Sequence, residues 1–164
     1  MPSETQIDAW FPCILAFNIL WVFGFLAFGV LRRIQAGDPI FPRRPARAEF
    51  YQSTASGRNL RNFISRIGGA RRCLIVMVAD RRLRTDLTFP FNLFVFLDLY
   101  GLRIDVRLEE ITRIERGRRL LIGETVTVRW SDDQAYEFRV RQPDALIQAL
   151  GPSGRIRAEV RTGM

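Results

Sequence analysis

Two pairs of adjacent carboxylates, Glu109-Glu110 and Asp132-Asp133, are the residues of this chain best suited to acid and base chemistry. General acid–base catalysis by a carboxyl pair needs two groups that face one reacting site. Adjacent side chains on a strand point to opposite faces, and adjacent side chains in a turn are solvated. Neither pair therefore predicts a catalytic acid and base.

The sequence contains no histidine, and its two cysteines are Cys13 and Cys73. Without an imidazole there is no histidine base to activate a serine or cysteine nucleophile, and no imidazole metal ligand. The chain also lacks a glycine-rich phosphate-binding motif. We expect no catalytic residue, no cofactor and no metal. An enzyme acting on a lipid or envelope precursor is the less favoured alternative.

The net charge of +8 is unevenly distributed, and all the basic residues are arginine, which is typical of a GC-rich bacterial genome. Residues 32–47 carry +4, from five Arg and Asp38, and residues 57–72 carry +5. Residues 73–150 contain twelve Arg and twelve acidic residues. A groove for a phosphate backbone would carry its excess charge on the folded surface, so nucleic-acid binding is not expected.

An uncharged apolar segment, residues 10–31, follows a short acidic segment, residues 1–9. Its 22 residues form a helix of about 33 Å, enough to cross the roughly 30 Å hydrocarbon core of a bilayer. A cleavable signal peptide would begin with basic residues, whereas this chain begins with Glu4 and Asp8 and places Arg32-Arg33 after the apolar run. The pattern predicts one transmembrane anchor, with residues 1–9 as a short external tail.

The arginines predict the orientation of this anchor. None precedes the span and five follow it within residues 32–47, so we expect the N-terminus outside and the remaining chain in the cytoplasm of a bacterial inner membrane. Cys13 and Cys73 then lie apart, and no disulfide is expected. In the span, Asn18 is a candidate contact with a second helix; the favoured alternative is that it satisfies its own hydrogen bonds.

A basic linker rich in proline is predicted for residues 32–56, as a stiff spacer between the span and the folded domain. Residues 57–69 then place apolar side chains at helical spacing, which predicts a short basic amphipathic helix. Two positions are open for this helix. The favoured one packs its apolar stripe on the domain, and the other places it on an anionic inner leaflet. The candidate contacts for lipid or a protein partner are Arg58, Arg61, Arg66, Arg71 and Arg72.

A small, mainly β domain is predicted for residues 70–151, followed by a basic tail, residues 152–164. Apolar or alternating runs indicate strands at 73–79, 83–89, 102–108, 125–130 and 136–141. The five residues 131–135 join the last two strands as a hairpin loop, which makes them antiparallel. Pro143 begins a closing helix, with Leu146, Ile147 and Leu150 on its buried face.

Consecutive antiparallel strands, the segment LEEITRIERGRRLLIGETVTVRW, a hairpin and the helix DALIQALG resemble the pleckstrin-homology-like domains of bacterial membrane proteins, including the GRAM-like kind. Ile111 and Ile114 match the family's step into a strand, Gly123 its turn, and Leu146 and Leu150 its helix. The resemblance covers residues 73–151. It implies a bent antiparallel sandwich or barrel capped at one end by a C-terminal helix, which acts as a scaffold for lipids, peptides or other subunits.

Lipid-binding members of that family carry a basic loop between their first two strands. With 73–79 and 83–89 as the first two strands, the basic residues of this loop are Arg81 and Arg82, with Arg84 following, and Asp80 and Asp86 offset them. The resemblance then implies no phosphoinositide recognition.

The stretch FPFNLFVFLDLYGL, residues 89–102, is unusually aromatic and has no regular period. The favoured interpretation is a core strand and an irregular connection, because a small domain needs its aromatic residues inside. In the alternative, Phe91, Phe94 and Phe96 are exposed and enter the bilayer or receive a partner.

The sequence therefore favours a non-enzymatic, membrane-anchored binding or assembly module whose cytoplasmic domain contacts a protein partner or the anionic inner leaflet. The alternative is a structural subunit of an inner-membrane complex, in which the span and Asn18 make the contacts.

Overall fold

A computed structural model of the protein describes residues 4–61, 63, 65, 69–94, 100–119, 123–131, 134–151 and 159–162, with side chains for all of these except 4–9, 118, 119 and 159–162. The chain divides into two compact units, Met1–Ile40 and Phe41–Met164.

The first unit is a single long helix, α1, from Glu4 to Gln35. Its stretch Trp10–Gln35 has a mean hydropathy of 2.3 and is long and apolar enough to cross a membrane. The prediction of an N-terminal apolar helix is confirmed. The helix extends past both ends of the predicted segment 10–31, because hydropathy marks the apolar part of a helix and not its hydrogen-bonded ends.

Helix α1 ends in a glycine cap. Gly37 has a φ of +71°, which an L side chain rarely adopts. Its N–H donates to the Ile34 carbonyl at 3.1 Å, and the Asp38 N–H donates to the Arg33 carbonyl at 2.9 Å. This pair of bonds is the Schellman motif, which satisfies the last helical carbonyls. The Arg33 side chain adds a bond from Nε to the Pro39 carbonyl at 3.2 Å.

The second unit contains one sheet. Within the described residues its strands are β1 (Phe50–Asn59), β2 (Ala70–Ala79), β3 (Arg82–Leu87), β4 (Asp105–Arg107), β5 (Arg113–Arg119), β6 (Gly123–Arg129), β7 (Ala135–Arg139) and β8 (Glu159–Thr162). Their order is β4-β3-β2-β1-β7-β6-β5-β8, and all neighbours are antiparallel except β5 and β8, which are parallel. A helix, α2 (Pro143–Leu150), and two short 3-10 helices, Phe91–Leu93 and Leu108–Glu110, complete the fold.

The predicted antiparallel sheet and closing helix are confirmed. The run 73–79 lies in β2, and Asp80 and Arg81 form the predicted turn into β3, both with positive φ. The predicted strand 102–108 keeps its alternation, because Leu102, Val106 and Leu108 are buried, although only Asp105–Arg107 pairs as a strand. In α2, Leu146 and Leu150 are buried as predicted, whereas Ile147 is only partly buried against the core.

Strand β1 corrects the predicted boundaries. The sequence analysis assigned residues 32–56 to a linker and 57–69 to a helix, but residues 50–59 form a strand. Its inward positions include Ala55 and Gly57, which are too small to produce an apolar alternation. The domain therefore begins well before residue 70. Of the remaining predicted helix, residues 62, 64 and 66–68 lie outside the described residues.

The sheet curves around one hydrophobic core. Leu83 of β3, close to one edge, and Ile114 of β5, close to the other, belong to the same buried cluster, and Leu146 and Leu150 of α2 join it. A flat sheet would separate these residues on distant parts of one face, so the shared core requires curvature. Strand β1 connects the two halves: Phe50–Gly57 pairs with β2, and Ser56–Asn59 pairs with β7.

Candidate functional site

One end of the sheet collects the candidate residues. The Arg72 N–H donates to Ser56 Oγ at 3.0 Å, which joins the start of β2 to the end of β1. The Thr88 N–H donates to the Cys73 carbonyl at 2.8 Å, which places the end of β3 beside them. We call this end the rim and define it as the described residues among 56–61, 69–73 and 87–94.

The loop between the first two strands belongs to the rim, and it corrects the sequence analysis. Because β1 is Phe50–Asn59 and β2 is Ala70–Ala79, the loop is residues 60–69, not residues 80–82. Its sequence contains Arg61 and Arg66 and no acidic residue. The prediction that this chain lacks a basic first loop is therefore wrong, because β1 precedes the strand that the sequence indicated as the first.

Three of the candidate arginines lie exposed at the rim. Arg61, Arg71 and Arg72 are solvent-exposed, and they make no ion pair within the described part of the chain. The backbone N–H of Arg61 donates to Asn59 Oδ1 at 3.0 Å, which holds the start of the loop against the end of β1. Arg66 lies outside the described residues.

Arg58 has a different environment from the other candidates. It faces Glu137 across the β1–β7 pair, and its Nη2 lies 3.1 Å from a Glu137 carboxylate oxygen. The Glu137 side chain is only 12% exposed and that of Arg58 27%. A carboxylate buried to this extent needs its cation, so the structure gives Arg58 a structural role between two strands.

Most other charges on the sheet are neutralised in the same way. Arg116 bridges Glu124 and Asp144 at 2.8 and 2.7 Å, and these carboxylates raise the pKa of its guanidinium. Other ion pairs among the described residues join Arg82 and Arg84 to Asp105, Arg103 to Asp86, Arg107 to Glu110, and Arg113 and Arg129 to Glu115. The rim arginines therefore contribute charge that the described part of the domain does not compensate.

Aromatic side chains are exposed on this domain as well. Outside α1, the large apolar side chains that the described residues leave exposed are all phenylalanine: Phe41 (60%), Phe63 (72%), Phe89 (48%) and Phe91 (45%). The rings of Phe41 and Phe89 are in contact, with centroids 4.8 Å apart. We call Phe41, Phe89 and Phe91 the aromatic patch. Sequence reasoning missed Phe41 and Phe89, because no pattern joins a linker residue to the end of a strand.

The aromatic stretch 89–102 is thus partly exposed and partly core. Phe91 is exposed, Phe94 is half-buried at the end of the 3-10 helix, and Phe96 lies outside the described residues. Leu93 and Leu102 are buried, and Tyr100 packs against the core. Each of the two sequence interpretations therefore applies to part of the stretch.

The Cys73 thiol and the Tyr136 hydroxyl are not activated as nucleophiles or bases. Burial raises the pKa of the Cys73 thiol and of the Tyr136 hydroxyl, so both stay protonated near neutral pH. The carboxylates Glu109 and Glu110 lie in a 3-10 helix, not on a strand, and Glu110 pairs with Arg107. Among the described residues no cluster of three or more His, Cys, Asp or Glu could hold a metal ion.

In α1, the Asn18 amide Nδ2 donates to the Ile14 carbonyl at 2.7 Å. This bond satisfies one of its donors within the same helix, while its other donor and its oxygen keep capacity for a further partner. Contact with a second helix stays a prediction.

Comparison with protein-family models gives no match for this chain, and comparison with curated proteins gives no match either. The features of this chain that bear on its function are therefore the rim, the aromatic patch and the apolar helix.

Proposed function

We propose that this chain is a non-enzymatic, membrane-anchored binding module in a bacterial inner membrane. In this proposal α1 spans the bilayer with its N-terminus outside, and a pleckstrin-homology-like domain in the cytoplasm binds the anionic inner leaflet through its rim.

The topology supports a pleckstrin-homology-like domain. Strands β1 to β4 form one meander and β5 to β7 form another, and the described sheet is open, with β4 and β8 as its edge strands. Helix α2 contributes Leu146 and Leu150 to the core, as a capping helix would. This matches the bent, helix-capped sheet that the family resemblance implies.

The observation that carries the lipid proposal is the contrast in charge pairing. Many arginines of the sheet are bound to carboxylates. Among the described arginines of the sheet that are exposed and make no ion pair in the described residues, Arg61, Arg71 and Arg72 lie together at the rim, whereas Arg81, Arg139 and Arg141 are divided between the β2–β3 turn and the end of β7. An arginine close to an anionic leaflet contributes about 1 kcal/mol. The three rim arginines together supply about 3 kcal/mol, or roughly a hundredfold in affinity.

The test uses residues 41–164, the second compact unit, after its cooperative thermal unfolding has been verified. Co-sedimentation with anionic and neutral liposomes is measured at about 0.1 M and 1 M salt, between which the Debye length falls from roughly 10 to 3 Å. We expect binding to anionic liposomes at low salt only.

A matched pair of variants assigns this binding to the rim. The double variant Arg71→Gln/Arg72→Gln removes about 2 kcal/mol and should weaken binding about 30-fold. Its control is Arg81→Gln/Arg141→Gln, which removes two exposed arginines away from the rim. The two variants are matched in backbone conformation as well, because Arg72 and Arg81 both have a positive φ, at +56° and +58°. Equal losses in both variants contradict a rim site. Absence of binding to every liposome rejects the lipid proposal and leaves a protein partner.

A further inference from the structure

The linker between the span and the sheet packs against the domain over its second half. Pro42, Pro45 and Ala48 are half-buried, whereas Arg43, Arg44 and Arg47 between them are exposed. The segment ends in a turn, in which the Ala48 N–H donates to the Pro45 carbonyl at 3.2 Å. The sequence predicted a spacer over this region; from Phe41 onward the linker is instead part of the second unit.

The two ends of this docked segment lie at opposite ends of the sheet. Phe41 contacts Phe89, which follows the rim end of β3, and the Glu49 N–H donates to the Val78 carbonyl at 2.9 Å. Val78 is close to the far end of β2, beside the turn into β3. The chain therefore enters the domain at the rim, runs along the sheet and begins β1 at the opposite end.

Covalent connectivity limits where the rim lies. Helix α1 ends at Gln35, and Phe41 is six residues later. Six residues span at most about 20 Å when fully extended. The tether between the end of α1 and Phe41 is therefore at most about 20 Å long.

The chemistry of the aromatic patch suits the boundary between lipid headgroups and acyl chains. Its three rings are each exposed by nearly half or more, and Arg43 and Arg44 follow Phe41 after one proline, Pro42. Aromatic rings with adjacent cations are typical of surfaces that lie in a membrane interface, because the rings leave water while the cations meet phosphate groups.

From the docked linker, the short tether and the exposed rings, we propose that Phe41, Phe89 and Phe91 insert into the headgroup boundary of the same bilayer that holds α1. The inference rests on the proposed function, since it requires α1 to span. It adds an apolar contact that does not depend on lipid charge, whereas binding through the rim arginines does.

The test uses the full chain in liposomes of neutral phosphatidylcholine at about 1 M salt, where arginine contacts are screened. Trp10, Trp21 and Trp130 are replaced by Phe, and single probes are introduced as Phe41→Trp or Phe91→Trp. Tyr51→Trp, at the opposite end of β1, is the matched control. Fluorescence is measured with lipids brominated at upper or lower acyl-chain carbons.

We expect the Phe41→Trp and Phe91→Trp probes to show blue-shifted emission and strong quenching by upper-chain bromines, and the Tyr51→Trp control to show neither. Quenching of all three probes to the same extent, or of none, overturns the inference. A variant that keeps only Trp21 separates this failure from failure of the anchor. Deep quenching of Trp21 without quenching at Phe41→Trp leaves α1 inserted and removes the aromatic contact, whereas unquenched Trp21 rejects the proposed function itself.

Discussion

Replacing Gly57 by alanine tests how closely the backbone of β1 packs against the side chains of the core. A Cβ atom at residue 57 would lie 2.6 Å from Cε1 of Tyr136 and 2.8 Å from Cδ2 of Leu74. Carbon atoms in good contact lie about 3.5 to 4.0 Å apart, so both neighbours would have to move by about 1 Å.

Neither neighbour has room to move. Tyr136 and Leu74 are both fully buried, and the Tyr136 ring stacks on Phe138 with centroids 4.6 Å apart. Overpacking of a well-packed core costs about 1 to 3 kcal/mol, and the overlap with a rigid ring argues for the upper part of that range. The reduced freedom of the unfolded chain returns about 0.4 to 1 kcal/mol. We expect Gly57→Ala to lower the free energy of unfolding by about 2 kcal/mol.

Thermal unfolding of the full chain in mild detergent, followed by circular dichroism, measures this loss. With an unfolding entropy of about 2.1 cal/mol/K per residue, 2 kcal/mol corresponds to a fall in Tm of about 8 °C for a domain of residues 41–164. Gly117→Ala is the control on another strand: a Cβ there meets only the Thr125 hydroxyl, at 3.0 Å, and should change Tm by about 4 °C at most. A Gly57→Ala protein that melts with the control would refute the packing described here.

Two further perturbations follow from the charges and the buried hydroxyl. Arg58→Met removes the guanidinium that pairs with the half-buried Glu137 and should destabilise the domain by about 1 to 3 kcal/mol, whereas Arg116→Met breaks more exposed pairs and should destabilise it less; urea unfolding that ranks them in the reverse order contradicts this account. Burial raises the pKa of Tyr136, so above the unfolded-state pKa of about 10 the unfolded chain loses a proton that the native state keeps, and stability falls as pH rises. In Tyr136→Phe this loss of stability at high pH should disappear. The urea midpoints of both proteins are compared between pH 9 and 11, a range that brackets the pKa of a free tyrosine. Midpoints that fall with pH at the same slope in both proteins argue against this explanation.

The parts of the fold that sequence reasoning predicted are those where burial demands large apolar side chains. Strands β2, β6 and β7 carry such residues at their inward positions, and α2 has Pro143 at its start. Strand β1 could not be predicted in this way, because where it passes closest to Tyr136 and Leu74 only glycine fits. Because β1 was not predicted, the loop between the first two strands was assigned to the wrong residues.

Only the part of the candidate site that the local amino-acid composition reveals could be predicted from the sequence. The excess of arginine in 57–72 is visible in the sequence, so Arg61, Arg71 and Arg72 were found. The pairing of Arg58 with Glu137 joins residues 79 positions apart, and the contact of Phe41 with Phe89 crosses three strands of the chain. Such long-range contacts are set by the sheet topology, which local periodicity does not encode.

The position of β1 between β2 and β7 also affects how the protein is made. Ser56 pairs with Arg139, so 83 residues (139 − 56) must be synthesised after Ser56 before this edge of β1 can pair with β7. At about 5 to 20 residues per second, the ribosome leaves the edge open for about 4 to 17 s. An open strand edge invites pairing with other chains, and apolar strands are the most prone to it. The sequence FYQSTASGRN is mostly small and polar, so the composition that hides β1 from sequence analysis also lowers the risk of aggregation during synthesis.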